Sequence, residues 1–160
     1  MSMRRTDRQQ SEEFGRALLA DSEYGVLSMA TRDGIPYAIP ISFALVENVI
    51  YLHGATTGTK ISVIEENPRV TFTCVGTTRV LAREFSTEYE SVIVVGTARV
   101  ATDQEERIAA FTALAAKYAP NFKAEAMTYI EKMEKHTTAI VITVESITAK
   151  AKLPAQEIPT

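Results

Sequence analysis

Hydrophobic and polar positions alternate with two different periods in the first third of the chain, and these periods predict its first elements. Residues 7–21 place Phe14, Ala17 and Leu18 on one side of a helix, with charged residues between them, which predicts a short amphipathic helix. Segments with the two-residue period of strands follow at 24–31, 35–46 and 49–53. Because short turn sequences such as Asp33-Gly34 separate these segments, we expect an antiparallel meander.

The rest of the chain mixes helical and strand patterns. Helices are predicted at 58–66, 102–119 and 123–135, and strands at 69–75, 91–100 and 138–144. The inward positions of these helices are Ile61 and Ile64, then Ile108, Phe111, Leu114 and Ala115, then Met127, Ile130 and Met133. The strand at 91–100 is the richest in β-branched residues, so we expect it at the centre, with a bulge or a close backbone approach at Gly96. Together these elements predict an α+β protein with a small antiparallel barrel.

Length and composition set the limits of the interpretation. With 160 residues, 46% of them hydrophobic, the chain is expected to form one domain over 1–160, with an irregular C-terminal tail from about residue 150. No apolar run reaches the roughly 18 residues of a membrane span, and the first residues lack the apolar core of a signal peptide, so we expect a soluble, cytoplasmic protein. A net charge of −3 without a basic stripe argues against nucleic acid as the main partner. The single cysteine, Cys74, excludes a disulfide framework and any multi-cysteine zinc site, and no metal site is predicted.

Two prolines interrupt the strand predicted at 35–46. Pro36 and Pro40 cannot donate a hydrogen bond to a neighbouring strand. We therefore expect them at a sheet edge, at a bulge, or where the backbone faces a ligand rather than another strand.

The strand ending at His53 runs into Gly54, two threonines and then Gly58-Thr59-Lys60, where a helix is predicted to begin. A helix N-terminus offers unpaired N–H groups and positive dipole charge, so glycine, hydroxyl groups and a lysine at this place predict a phosphate-binding site. The alternatives are an ordinary solvated lysine and a histidine with a purely structural role.

Other catalytic signatures do not fit. The stretch 54–61 differs from a nucleotide P-loop, because only three residues separate its glycines and Ile61 stands where the magnesium-binding Ser or Thr belongs. The sequence has no Gly-x-Ser-x-Gly elbow, no His-Glu-x-x-His zinc helix and no Rossmann glycine fingerprint. Triphosphate hydrolysis, other hydrolysis and dinucleotide-fold dehydrogenation are therefore disfavoured.

The order of several short strings carries a family resemblance. These strings are Ile35-Pro36-Tyr37-Ala38-Ile39-Pro40-Ile41-Ser42-Phe43, Tyr51-Leu52-His53-Gly54-Ala55, Gly58-Thr59-Lys60 and Ile64-Glu65-Glu66-Asn67-Pro68-Arg69-Val70. In this order they resemble the pyridoxamine 5′-phosphate oxidase-related, FMN-binding split β-barrel superfamily. The opening Met3-Arg4-Arg5 and the His-Gly-Ala…Gly-Thr-Lys string are most similar to its 5-nitroimidazole reductase (Nim) branch, whose name is linked to nitroimidazole resistance.

The resemblance implies a six- to seven-stranded antiparallel split barrel with flanking helices, forming a homodimer with FMN at the subunit interface. It places the flavin ring along the backbone of residues 39–43 and its phosphate at 58–60, and it implies that His53 faces the ring as a proton donor or substrate-orienting group. Ser91 would reach the flavin of the other subunit. The residues it assigns to the cofactor are Ile39, Pro40, Ile41, Ser42, Phe43, His53, Gly54, Ala55, Gly58, Thr59, Lys60 and Ser91.

Two departures from the family pattern bear on function. Many relatives have an arginine beside the phosphate lysine where this chain has Thr59, and we hypothesise that Arg4, Arg5 or Arg83 supplies the missing charge. Pyridoxine-phosphate oxidases carry a C-terminal Arg-x-His element, whereas this sequence has neither arginine nor histidine after Lys152. Oxidation of pyridoxine phosphate is therefore not expected.

Three functional hypotheses follow from the resemblance. The first is an FMN-dependent oxidoreductase, similar to flavin reductases, that acts on small flat electrophiles such as nitroimidazoles; the ring supplies the chemistry and the protein positions it. The second is a flavin- or haem-binding module without turnover. The third is a reductase that binds the deazaflavin F420.

Overall fold

The computed structural model describes residues 3–133 and 136–154. In this part of the chain the strands are β1 (Gln9–Gln10), β2 (Tyr24–Ala30), β3 (Pro36–Val46), β4 (Val49–Ala55), β5 (Arg69–Leu81), β6 (Ser86–Val100) and β7 (Thr137–Lys152). The α-helices are α1 (Glu12–Asp21), α2 (Thr59–Glu66), α3 (Gln104–Tyr118) and α4 (Lys123–Met133). All the strand pairings described are antiparallel, which confirms the α+β prediction.

The sheet closes on itself. Its order is β1-β7-β4-β3-β2-β5-β6, and an additional pairing of β6 with β7 joins the two ends of the six long strands. The two-residue β1 adds to β7 at Ala149 and Lys150. A closed sheet leaves few unpaired strand edges, which suits a small barrel with helices on its outside. The predicted six- to seven-stranded barrel is confirmed.

Alternating side chains divide the core into two clusters. One face of the strands fills the barrel with fully buried residues such as Phe43, Leu52 and Phe72, and α1 and α2 contribute to the same cluster. The opposite face of β3, β4 and β7 carries a second, smaller cluster, in which Phe111 and Leu114 of α3 lie against the sheet. Helix α3 is therefore held on the outer surface of the barrel, over the strands that carry the predicted site.

Helix α1 begins later than predicted and presents a different face. Its N-cap is Ser11, whose hydroxyl accepts a hydrogen bond from the backbone N–H of Phe14. Leu18 is buried as expected, but Ala17 is exposed, and Leu19 is buried instead. Gly15 accounts for the difference, because a Cβ at this position would lie 2.8 Å from Ile147, so only glycine lets the helix approach β7 this closely.

Strands β5 and β6 extend past the predicted ends as one hairpin. The prediction missed residues 76–90, whose polar and charged side chains hide the strand pattern. Strand β6 pairs with both β5 and β7, so its predicted central position is confirmed. Its register with β7 shifts between Val95 and Gly96, which confirms the bulge, and a Cβ on Gly96 would lie 2.5 Å from the carbonyl oxygen of Thr143.

The C-terminal third agrees with the prediction in part. In α3, Phe111 and Leu114 are buried as predicted, but Ile108 is 37% exposed. The end predicted for the next helix at Lys135, and the side chains of Met127 and Met133, lie outside the described residues. Strand β7 continues to Lys152, and the rest of the predicted tail, 155–160, also lies outside them. Among the described helices, none is long and apolar enough to cross a membrane.

Candidate functional site

The site begins where β3 and β4 separate. Their ladder ends at the pair Phe43 and Leu52, although β3 continues beside β2 down to Pro36 and β4 continues beside β7 up to Ala55. If the same register continued, Ser42 would face His53 and Pro40 would face Ala55. Instead these two strand edges border a split in the barrel wall.

Backbone polar groups point into this split. The N–H of Phe43 donates to the Tyr118 hydroxyl at 2.9 Å, and that hydroxyl also bonds the carbonyl of Glu23, which precedes β2. The backbone groups of Phe43 therefore face β2, and those of its neighbour Ser42, and of Pro40, face the split, because successive residues of a strand alternate. An edge of this kind needs hydrogen-bond partners other than a strand. Pro40 lies where its missing N–H interrupts no ladder, as the sequence predicted.

His53 lies on the outer face of β4, at the mouth of the split. The ring is exposed, but the walls of the adjoining cleft displace part of its water. This desolvation, together with the nearby positive charge of Lys60, lowers the pKa of His53 from its ordinary value. The imidazole is therefore neutral at neutral pH, and it can donate one hydrogen bond and accept another.

Lys60 reaches back over the backbone of Gly54. A Cβ on Gly54 would overlap the Lys60 ammonium and would lie 3.0 Å from its Cε. The glycine thus leaves room for the lysine, and partial burial lowers the pKa of Lys60. Within the described residues the ammonium forms no hydrogen bond or ion pair with another side chain. The lysine charge is consequently available to an anion.

The start of α2 forms the rest of the predicted phosphate site. Gly58 is the N-cap, with a φ of 125° that favours glycine, and no side chain caps the helix. The N–H groups of Ile61 and Ser62 donate to the Gly58 carbonyl. The N–H groups of Thr59 and Lys60 come earlier in the helix and have no acceptor within it. Two N–H donors, the helix dipole and the lysine therefore converge, which is the arrangement predicted for a phosphate.

A cleft of about 890 Å³ adjoins the split on the outer face of the barrel. Ser42 and the β4 residues 53–55 form its floor, and α3 and α4 form most of its walls. The wall and rim residues are Phe111, Leu114, Ala115, Tyr118, Ala119, Phe122, Glu125, Ala126, Tyr129, Ile130, His136 and Thr137. This largely apolar and aromatic space suits a flat organic molecule.

The structure assigns the remaining predicted residues to different surroundings. The ring of Phe43 is fully buried against Phe72, 4.6 Å between centroids, so it does not line the cleft. The half-buried side chains of Ile39 and Ile41 also pack against the barrel core. By the alternation described above, the backbone polar groups of these three residues face β2, so those of Pro40 and Ser42 are the ones that face the split. Gly58 and Thr59 are exposed beside Lys60.

Ser91 lies apart from this cleft. It is half-buried in β6, and its hydroxyl donates to the carbonyl of Lys150 at 3.3 Å. The role implied for it concerns a second subunit and stays a prediction.

The arginines proposed as a second phosphate cation are not part of the cleft lining either. Arg5 forms a two-point ion pair with Asp7, at 2.7 and 2.6 Å, which lowers the pKa of that carboxyl and raises that of the arginine. Arg83 lies in a short 3₁₀ turn at the tip of the β5–β6 hairpin, and Arg4 is exposed near the N-terminus. The source of a second charge stays open among these residues.

Sequence reasoning missed the helical walls of the cleft. Phe111 and Leu114 were recognised only as core positions, and Tyr118 was not singled out. His136 was not singled out either; it is exposed and lies at the rim of the cleft. From the sequence pattern alone, a helix face that only covers the core cannot be distinguished from one that also borders a cleft.

A family profile described as pyridoxamine 5′-phosphate oxidase matches residues 11–151. No curated protein matches the chain in sequence. Among solved structures, the conserved hypothetical protein Rv2991 of Mycobacterium tuberculosis is similar with a TM-score of 0.80 and 17% identity, over 99% of this chain and 98% of that one.

Two further solved structures are similar to this chain. A proposed 5-nitroimidazole antibiotic resistance protein of Bacteroides thetaiotaomicron has a TM-score of 0.73 and 18% identity, over 89% of this chain and 84% of its own. A FAD- and haem-binding protein of Mycobacterium smegmatis has a TM-score of 0.80 and 23% identity, over 95% of this chain and 77% of its own. At such identities the likeness establishes the fold alone.

Proposed function

The chain belongs to the pyridoxamine 5′-phosphate oxidase family, and from that premise we propose that it is an FMN-dependent oxidoreductase that reduces small flat electrophiles such as nitroimidazoles. One observation carries the proposal: the split between β3 and β4 lies between a helix start suited to an anion and a largely apolar cleft. A phosphorylated molecule with a flat, hydrogen-bonding ring system fits both parts. FMN is such a molecule.

The residues present fit FMN in kind and in position. Gly58, Thr59 and Lys60 would hold its phosphate, with two N–H groups and one charge. The backbone at Pro40 and Ser42 would border the ring, since its polar groups face the split. A bound flavin would supply the electrons for reduction, whereas binding and orientation fall to the protein.

His53 then acts on the electrophile. Its neutral imidazole, at the cleft floor, would donate a hydrogen bond to an oxygen of the bound substrate and so orient it. Reduction of a nitro group to a nitroso group consumes two electrons and two protons and releases water; NAD(P)H, the donor class we propose, provides both electrons and one proton. Solvent provides the other proton, and His53 lies where it can relay it.

We also propose that the protein is a homodimer. Tyr24, Val26, Val75 and Ile93 lie on the outer face of β2, β5 and β6 and are between 38% and 63% exposed. In the strand register, Val26 lies between Pro40 and Thr73, and Thr73 faces Ile93, so the row is continuous and uncharged. An exposed face of this composition is suited to a second copy of the chain.

Light scattering tests the dimer. The variant Val26→Glu puts a charge into the middle of this row, and we expect it to be a monomer. Val46→Glu is the matched control, because Val46 is also exposed, at 45%, but lies next to the β3–β4 turn. A monomeric wild-type protein, or a dimer that survives Val26→Glu, would refute this interface.

The enzymatic proposal is tested with purified protein. We expect a yellow protein with an FMN spectrum that oxidises NAD(P)H when a nitroimidazole is added. Lys60→Met is expected to weaken FMN but not riboflavin, which lacks the phosphate. A colourless protein that does not take up added FMN would exclude the proposal, and a flavoprotein without acceptor-dependent turnover would reduce it to a binding module.

Haem binding is the second candidate. Both histidines of the chain, His53 and His136, border one apolar cleft, and imidazole is a common axial ligand of haem iron. The absorption spectrum of the purified protein decides between the two, because a Soret band and a flavin spectrum are distinct. Titration of His53→Ala with haem tests this candidate, since the variant would lose an imidazole that could hold the iron but would keep the residues proposed for the FMN phosphate.

A further inference from the structure

The cleft has polar groups at two separate places. The chain contains two histidines, and the structure brings both to this one cleft from different elements. His53 belongs to β4, at the split. His136 immediately precedes β7, three residues before Ala139, which is the β7 partner of His53. The two imidazoles therefore border the same space at different distances from the split.

The separation of the two histidines follows from the pairing of β4 with β7. His53 pairs with Ala139, and His136 precedes Ala139 by three residues. At about 3.3 Å per residue of extended chain, this separates the two backbone positions by at most about 10 Å along β7. Because both histidines line the cleft, an aromatic molecule with a polar substituent at each end could contact both.

Apolar side chains separate these two polar ends. Phe111, Leu114 and Ile130 line the cleft between the helices and the sheet, and Tyr118 and Tyr129 add flat aromatic surface. Among the residues described along the cleft, Glu125 is the one carboxylate. The described lining is largely apolar and includes no lysine or arginine, so a neutral substituent suits this cleft better than an anionic one.

We propose that His136 is a specificity-determining residue, which donates a hydrogen bond to a neutral acceptor atom at the end of an aromatic substrate opposite its reducible group. This rests on the proposed function only for the identity of the reducible group, which lies at His53. It predicts a preference for para-substituted nitroaromatics with a carbonyl oxygen over those that end in an alkyl group.

Two probes of nearly equal shape test this preference. 4-Nitroacetophenone has a carbonyl oxygen where 4-nitrocumene has a methyl group, and their dissociation constants can be measured by calorimetry on the purified protein. One neutral hydrogen bond corresponds to a factor of roughly 3 to 10 in affinity. We expect His136→Leu to reduce the affinity ratio of ketone to hydrocarbon by that factor while the affinity for 4-nitrocumene stays within twofold.

Two further variants separate the donor role from a structural one. His136→Gln keeps an N–H donor and is expected to keep most of the ratio. Thr112→Ala, an exposed position of α3 outside the cleft lining, is the control and is expected to leave both affinities unchanged. In flavin-loaded protein, the loss in His136→Leu is expected in KM for the ketone rather than in kcat.

Each other outcome overturns the inference. An unchanged ratio in His136→Leu shows that the imidazole does not contact the substituent. Equal weakening of both probes shows that His136 only shapes the cleft, and a loss of FMN affinity assigns it to the cofactor instead. The proposed function fails separately, through absent flavin binding, because calorimetry with the two probes requires no flavin.

Discussion

The contact between Gly54 and Lys60 leads to a prediction about affinity for the cofactor phosphate. In Gly54→Ala the new Cβ would overlap the lysine ammonium and lie 3.0 Å from Cε, so the flexible side chain must move away from its present position. A hydrogen bond to a charged group contributes about 1.5–3 kcal/mol, so losing it corresponds to a roughly 10-fold to 150-fold weaker dissociation constant. We expect FMN affinity to fall by this factor at most.

The assay is a flavin fluorescence titration of four proteins: wild type, Gly54→Ala, Lys60→Met and the double variant. If Gly54 acts by leaving room for Lys60, the alanine weakens FMN in the wild-type background and has little further effect once the lysine is gone. Riboflavin is the ligand control and is expected to bind all four proteins alike. An equal loss in both backgrounds would refute the reasoning, because Gly54 would then act through its own backbone.

The remaining predictions concern the same region and the barrel. Replacing Lys60 by Met removes a positive charge near His53, so the His53 pKa, followed by NMR, is expected to rise; an unchanged pKa would contradict the coupling. Because folding lowers this pKa, His53 contributes stability above its ordinary value of 6.5 and loses it as the pH falls, so the urea midpoint is expected to decline less below pH 6.5 in His53→Ala. Tyr118→Phe removes the partner of the Phe43 N–H and is expected to destabilise the protein by about 1–3 kcal/mol in urea, whereas no change would show that water replaces the hydroxyl. Gly96→Ala places a Cβ 2.5 Å from a backbone oxygen, and thermal unfolding is expected to show a loss of about 1–3 kcal/mol; wild-type stability would mean that the bulge relaxes.

The helices and strands could be predicted from the sequence because each is determined by residues close to it in the chain. The meander at 24–55 is set by alternating side chains and short turns, and α2 by Gly58 before it and Asn67-Pro68 after it. The bulge at Gly96 was also predictable, since glycine inside a β-rich run marks a close backbone approach. The elements themselves predicted a small antiparallel barrel, and the resemblance added its strand number and its split.

Features that depend on contacts between distant segments of the chain could not be predicted from the sequence. The cleft exists because α3 and α4 pack over β3, β4 and β7, and no periodicity encodes that arrangement. The hydroxyl of Tyr118 bonds Glu23 and Phe43, residues far from it in the chain, and so escaped notice. Gly54 illustrates a partial success: a glycine was expected near the phosphate for close approach, and the close approach that it permits is that of Lys60.

The split between β3 and β4 also has a consequence for handling the protein. Its two strand edges carry backbone groups that a strand of another molecule could pair with, as happens when proteins aggregate edge to edge. Proline at position 40 removes one donor from this template but leaves its carbonyl oxygens. A ligand that fills the split covers the template, so protein produced in flavin-poor cells is expected to precipitate sooner than flavin-saturated protein.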